Sequence, residues 1–277
     1  MKIIAEAGAT KTDWRILDGQ EITGSFKSDG INLATMSPDT VKAKISSAAK
    51  SVSRPGRIEE IYFYGAGIVG RKQKEEMSSI LRSSFSNAVT FCESDLTGAA
   101  RALFGRDSGI VAILGTGSNS CFYDGTSTIS KVRSGGFILG DEGSGAFLGK
   151  MLLSDFIKGL VPDSVAEELR SEFDLDYQSI VREVYSGGEA AAFLASFAPY
   201  VLDRQELPYM KGLIIRTIDS FVGRMLGAYD TANFPVGVVG GFGYACRQYL
   251  EEIGQAHGIR FSKFVQSPIE ELVKYHV

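Results

Sequence analysis

The sequence predicts an α/β protein made of two related domains, and three observations carry that expectation. Residues 2–22, KIIAEAGATKTDWRILDGQEI, and residues 109–129, GIVAILGTGSNSCFYDGTSTI, follow one plan: an apolar strand, a loop of glycine with threonine or serine, a second strand, an Asp-Gly turn and the start of a third strand. Apolar runs then alternate with amphipathic helical patterns. From Gly143 onward helices dominate, and no Pro-rich, Ser-rich or low-complexity tract divides them.

Each repeat reads as a β-hairpin. Asp18-Gly19 and Asp124-Gly125 lie between alternating runs, where a type I′ turn needs positive φ at both central residues. Two such units argue for two domains joined near FGRDSG, residues 104–109. Further strands are expected at EEIYFYGAG, AVTFCES and FPVGVVGG. Helices are expected at TVKAKISSAAKSV, KQKEEMSSILRSSF and LTGAARALF. Later ones are GSGAFLGKMLLSDFIKG, SVAEELRSEF, YQSIVREVYS, PYMKGLIIRTIDSFVGRMLGAYD and YACRQYLEEIGQAHG.

Composition narrows the function. A chain of 277 residues, 44% hydrophobic and 22% charged, can bury two cores. Its formal net charge of -4 gives no long-range attraction for nucleic acid or an anionic membrane, so a small-molecule partner is expected and neither of those. Cys92, Cys121 and Cys246 are odd in number and lack C-x-x-C spacing, which suggests neither a disulfide framework nor a zinc site. The opening MKIIAEAG lacks a basic segment followed by a sustained apolar one, and no run approaches the roughly 18 apolar residues of a membrane span. A soluble, cytoplasmic protein is the expectation.

Four segments carry candidate chemistry. The first hairpin loop, Gly8 to Thr12, offers backbone N–H groups among small side chains, with the Thr10 and Thr12 hydroxyls as further donors, and that suits a phosphate. A tight turn without a ligand is the alternative. The second loop, GTGSN at residues 115–119, recurs at the matching hairpin position, which weakens that alternative. In VVGGFGYA, residues 238–245, Gly240, Gly241 and Gly243 at a strand-to-helix turn let a flat or anionic ligand approach a helix N-terminus. In GGFILGDEGSGAFLG, residues 135–149, Asp141 and Glu142 precede a helix, where acids also serve simply to complement its macrodipole.

One motif misleads. Gly65, Gly67 and Gly70 form G-x-G-x-x-G after a strand, with Glu93 about twenty residues on, the pattern of a dinucleotide site. That fingerprint normally opens its domain, however, and here a hairpin unit and a helix precede it while the duplicated loops go unexplained. No G-x-x-x-x-G-K-[ST] phosphate loop occurs, and His257 and His276 are too isolated for a hydrolytic triad. Trp14 reads as hairpin packing.

The two loops EAGATKTDW and LGTGSNS, the late VVGGFG and the intervening GDEGSG resemble the actin/hexokinase/Hsp70-type ATPase superfamily. More narrowly they resemble its N-acetylglucosamine kinase and BadF/BcrA-type ATPase family. The matching motifs run from Glu6 to Gly243. The resemblance implies two RNase H-like domains with an interdomain ATP and sugar cleft: residues 1–106 with a returning C-terminal helix at 265–277, and residues 107–264. It implies that Gly8, Thr10, Lys11 and Thr12 form the first phosphate loop. Gly115, Thr116, Gly117 and Ser118 form the second, and Gly240, Gly241 and Gly243 the adenosine contact.

On the sugar side it implies Asn32, Asn119, Gly136 and Asp141, and it makes Asp95, in ESDLTGAARAL, the catalytic base. Asp95 also opens a helix after a strand, so a plain N-cap is its rival role. Glu6 and Asp13 are the candidates for a hydrated Mg²⁺. ATP and Mg²⁺ are the implied cofactors and an amino sugar the substrate, and frequent dimerisation in the family leaves a homodimer open. The sequence departs from the family at Ala7 and Ala9, where glycines are usual, and at Glu6, where aspartate is commoner; phosphate approach there is expected to be looser or rearranged. A branch of the family activates a partner enzyme through a cluster held by cysteines of two subunits, and it ranks second.

Overall fold

The computed structural model describes residues 1–130, 132–186 and 189–277, and the chain forms two compact units. The first comprises Met1–Asp107, Gly125–Thr128 and Ser267–Val277; the second comprises Ser108–Asp124 and Ile129–Gln266.

In the first unit the sequence runs β1 (Lys2–Ala7), β2 (Lys11–Asp18), β3 (Glu21–Asp29), α1 (Pro38–Ala49), β4 (Glu60–Gly65), α2 (Arg71–Ser84), β5 (Val89–Ser94) and α3 (Asp95–Phe104). The sheet order is β3-β2-β1-β4-β5. β1 pairs antiparallel with β2 and parallel with β4, which places it at the centre. It therefore contributes to a core on each face. Ile3, Ala5 and Ala7 enter one core with Trp14, Val41, Ile45 and Met77, while Ile4 enters a second with Leu17, Tyr64 and Ala102.

Trp14 is a core residue, as expected: it is fully buried, stacks on Phe26 with ring centroids 5.5 Å apart, and donates Nε1–H to Ser28 Oγ at 2.9 Å. The first hairpin turn differs from expectation. Asp18 pairs with Glu21, so Gly19 and Gln20 are its central residues, and only Gly19 has positive φ (61°). A type II′ turn needs glycine at the first central position alone, which frees Gln20 from that constraint.

The second unit repeats the topology. β6 (Gly109–Leu114), β7 (Ser118–Tyr123) and the two-residue β8 (Thr128–Ile129) are followed by α4 (Gly136–Leu139), α5 (Gly145–Ile157), α6 (Asp163–Phe173), α7 (Tyr177–Ser186), α8 (Ala190–Ala195), α9 (Ala198–Asp203) and α10 (Pro208–Phe221). A π turn, Val222–Leu226, ends α10. β9 (Val236–Val239), α11 (Gly241–Ala245), α12 (Arg247–Ala256) and β10 (Phe261–Val265) complete it. The order β10-β9-β6-β7-β8 is the first sheet's arrangement again, with β6–β7 antiparallel and β6–β9 and β9–β10 parallel.

The large insertion of helices lies between β8 and β9. β10, α8 and α9 went unread in the sequence because they are short, and the expected helix at 244–258 is divided at Cys246. From the second unit the chain returns to the first as α13 (Ile269–His276), which packs on α3, β1 and β2. Arg15 Nη2 meets Glu270 Oε1 at 2.6 Å, and Tyr64 Oη lies 2.7 Å from His276 Nε2. Among the described residues no helix is long and apolar enough to cross a membrane.

Candidate active site

The first loop is closed by backbone hydrogen bonds. Gly8 N–H donates to Lys11 O at 2.9 Å, and the segment after β3 then pins the loop from beneath: Gly30 N–H donates to Thr10 O at 3.1 Å and Ile31 N–H to Gly8 O at 3.2 Å. Gly30 is required by close approach, since a Cβ there would run into the Ala9 carbonyl. The two alanines thereby find a physical reading. Ala7 turns its methyl into the core and Ala9 sits exposed at the tip, while the glycine needed for tight passage stands at position 30. Thr12 corrects the sequence reading: it is fully buried and its hydroxyl donates to Asp29 O at 2.9 Å, so it holds the β2–β3 junction rather than presenting a donor at the loop.

Alternation along β1 and β2 places Glu6 and Asp13 on the face that α3 and α13 cover, and register makes them direct cross-strand partners. Asp13 is buried. Its Oδ2 lies 2.9 Å from Lys11 Nζ yet makes no hydrogen bond, and its Oδ1 is 3.9 Å from Lys27 Nζ. The N-cap of α3 is Ser94, whose hydroxyl accepts Thr97 N–H at 3.1 Å, and this removes the plain N-cap role from Asp95. Asp95 is the first helical residue, half-buried, with Oδ1 accepting Leu96 N–H at 2.8 Å.

Burial drives the electrostatics here. Desolvation pushes the Asp95 carboxyl up to about 6 despite hydrogen bonds from the Leu96 and Asp95 N–H groups, and it pushes Glu6 up to about 7, aided by the Asp13 and Asp95 charges and opposed by Lys11. Both shifts favour the protonated acid in the folded state. Their contribution to stability is therefore present at low pH and lost as pH rises through the folded values. Glu6→Gln should accordingly raise the melting temperature by several degrees at pH 8 and change it little at pH 5, which scanning calorimetry at the two pH values reads directly.

Asn32 follows the same junction. It bridges to Ala66 in parallel fashion, and its Oδ1 accepts Ala34 N–H at 2.9 Å. Gly67 of the misleading G-x-G-x-x-G packs against Asn32 and Ala34, so that motif serves to seat this segment.

In the second unit the GTGS loop is held by the segment that follows α4. Gly115 N–H donates to Gly117 O at 3.0 Å, while Gly145 N–H and Ala146 N–H donate to Gly115 O and Thr116 O at 2.9 and 3.0 Å. Asp141 is buried and its Oδ1 accepts Ser118 N–H at 3.3 Å. Burial raises its carboxyl above the usual range while that hydrogen bond lowers it. The macrodipole reading of Asp141 and Glu142 fails: α5 is capped by Ser144 and has no acid in its first turn. The Ser118 hydroxyl oxygen is buried without a hydrogen-bond partner, an orphaned polar atom inside a loop rich in N–H groups.

Asn119 follows on β7, with Oδ1 accepting Ser120 N–H at 2.9 Å, and Gly136 begins the exposed single turn α4. Gly240 has φ 122° and its Cα faces the Leu114 carbonyl so closely that any Cβ would overlap it, which packs the VVGGFG turn directly on the root of the second loop. Gly241 at the head of α11 has open space around it.

Among the described residues no three His, Cys, Asp or Glu side chains converge as a ready metal cage. Glu6 with the unbonded Asp13 Oδ2 nevertheless forms a pair of oxygen donors of the kind a hydrated Mg²⁺ takes, with Lys11 as the counter-charge. Cys92, Cys121 and Cys246 are buried thiols outside any disulfide, and burial pushes the Cys246 thiol up to about 12.

No family model and no curated protein matches the sequence significantly. Among solved structures the chain is similar to a candidate N-acetylglucosamine kinase from Porphyromonas gingivalis, with 32% identity, a TM-score of 0.94, and coverage of 100% of this chain and 98% of that one. A candidate N-acetylglucosamine kinase from Chromobacterium violaceum (19% identity, TM-score 0.75, 99% and 98% covered) shares the fold. So does a ROK family glucokinase from Streptomyces griseus in complex with glucose and AMPPNP (16% identity, TM-score 0.61, 99% and 97% covered). Two sheets of one topology, each opened by a glycine-bearing hairpin loop, define the class as the actin-like ATP-dependent sugar kinases. Within it, this chain belongs to the N-acetylglucosamine kinase family.

Proposed function

We propose that the protein transfers the γ-phosphoryl group of ATP to a hydroxyl of an amino sugar, with N-acetylglucosamine first and glucosamine or N-acetylmuramic acid as alternates. The observation that carries this reading is Asp95: a half-buried carboxylate at the head of α3, no longer needed as a cap and raised to about 6, beside the end of β1 from which the first loop springs.

Phosphoryl transfer asks a protein for positioning and charge stabilisation more than for covalent chemistry. Asp95 accepts the sugar hydroxyl proton as that oxygen bonds to the γ-phosphorus, and the bond from phosphorus to the bridging oxygen breaks to leave ADP. The Gly8–Lys11 turn and the Gly115–Ser118 loop direct N–H groups, the Lys11 ammonium and the Ser118 hydroxyl at phosphate oxygens, and the Gly240–Gly243 turn takes the adenosine. Asn32, Asn119 and Gly136 serve the sugar, whereas Asp141 supports the second loop in addition to any sugar contact. Mg²⁺ would screen charge between the phosphates when held through water by Glu6 and Asp13. The two RNase H-like domains of this reading are residues 1–106 with 265–277 and residues 107–264, in a cytoplasmic enzyme.

The base must be ionised to act, so the sugar-dependent rate falls as pH drops through about 6. Phosphorus NMR of the protein with Mg-ATP and N-acetylglucosamine is the test. A new phosphomonoester resonance growing as ATP declines supports the proposal, and conversion of ATP to inorganic phosphate at the same rate without sugar refutes it.

A further inference from the structure

We propose that Arg224, acting through Glu142, is the positioning residue for the second phosphate loop and thereby sets nucleotide affinity; this rests on reading Gly115–Ser118 as a phosphate loop. The local geometry starts in α10. After Phe221 its backbone widens into the π turn Val222–Leu226, a rare conformation that gathers at functional sites. The widened turn buries Val222, Met225 and Leu226 and sends Arg224 outward, with its side chain 72% exposed.

Arg224 Nη1 meets Glu142 Oε1 at 3.2 Å, and the Glu142 side chain is only 6% exposed. A carboxylate withdrawn from water to that degree needs a counter-charge, and the π turn supplies it. Phe221, immediately before the turn, grips the neighbouring residue: its Cβ lies 2.6 Å from where a Cβ on Gly143 would sit. The end of α10 therefore clasps Glu142 and Gly143 together.

The residues flanking that clasp are the ones that hold the loop. Asp141 takes Ser118 N–H and lies against Gly117, while Gly145 and Ala146 donate to the Gly115 and Thr116 carbonyls. The segment Asp141–Ala146 thus contacts every residue of the loop, and the Glu142–Arg224 pair ties it to the end of α10. Losing that pair lets the segment shift and misdirects the loop's N–H groups, with no change to the first unit.

Calorimetric titration of ATP without sugar, on wild type, Arg224→Gln, Arg224→Lys and the double variant Glu142→Gln with Arg224→Gln, tests this. Arg224→Gln should weaken ATP binding about 10-fold, the scale of one charge-assisted hydrogen bond. Arg224→Lys should recover most of it. The double variant removes the unpaired buried charge, so it should regain thermal stability while staying weak for ATP; it also carries the comparison if Arg224→Gln does not fold. Arg224→Gln or the double variant binding ATP as wild type does would overturn the inference, and a wild type that binds no ATP would remove the kinase reading on which it rests.

Discussion

Asp95→Asn should lower sugar-dependent turnover by about 10²- to 10⁴-fold, the range a general base contributes, while ATP affinity stays near the wild-type value. The substitution is close to isosteric, and the amide oxygen can still accept Leu96 N–H, so α3 keeps its first turn; Ser94 in any case holds the cap. What is lost is proton acceptance. Because burial raises this carboxyl to about 6, the wild-type enzyme also loses activity on the acid side, and the variant's residual rate should lack that limb. A stopped assay for ADP from pH 5 to 8, with ATP binding measured separately, checks both. A variant that keeps wild-type turnover would strip Asp95 of the role.

Gly30→Ala is expected to have the second largest effect, and its target is binding. A Cβ at this position overlaps the Ala9 carbonyl, which is backbone and has no rotamer to escape into, so the first loop must move away from the β3 junction. The hydrogen bonds Gly30 N–H to Thr10 O and Ile31 N–H to Gly8 O are strained by the same displacement. Overpacking of this kind costs about 1–3 kcal/mol. ATP affinity should fall at least about 10-fold, since phosphate binding depends on N–H groups held in place. Trp14 is the single tryptophan, fully buried in β2 beside this loop, and its emission reports whether the hairpin stays packed.

The duplicated hairpin was legible because its signals are local: strand periodicity, a glycine-bearing loop and an Asp-Gly turn recur in order. Asp95 stood out at a strand-to-helix junction, where local signals suggested only an N-cap that Ser94 in fact supplies; its proposed role as base rests on the family resemblance. The roles of Thr12, Gly30, Asp141 and Glu142 were not legible, because each is decided by a partner far along the chain. Thr12 donates seventeen residues away to Asp29, and Asp141 accepts from Ser118 across twenty-three. A sequence shows a threonine beside a glycine loop and cannot show which carbonyl its hydroxyl reaches. Gly30 carried one local signal, a glycine between a polar strand and the apolar Ile31. The π turn left no signal in the sequence beyond Gly223 and Gly227.

The most direct test of sugar phosphorylation is ADP release from Mg-ATP by the wild-type protein across a panel of hexoses and amino sugars, against a sugar-free control. Turnover that depends on one amino sugar, N-acetylglucosamine above all, is the predicted result. Hydrolysis at one rate with every sugar and with none would contradict it.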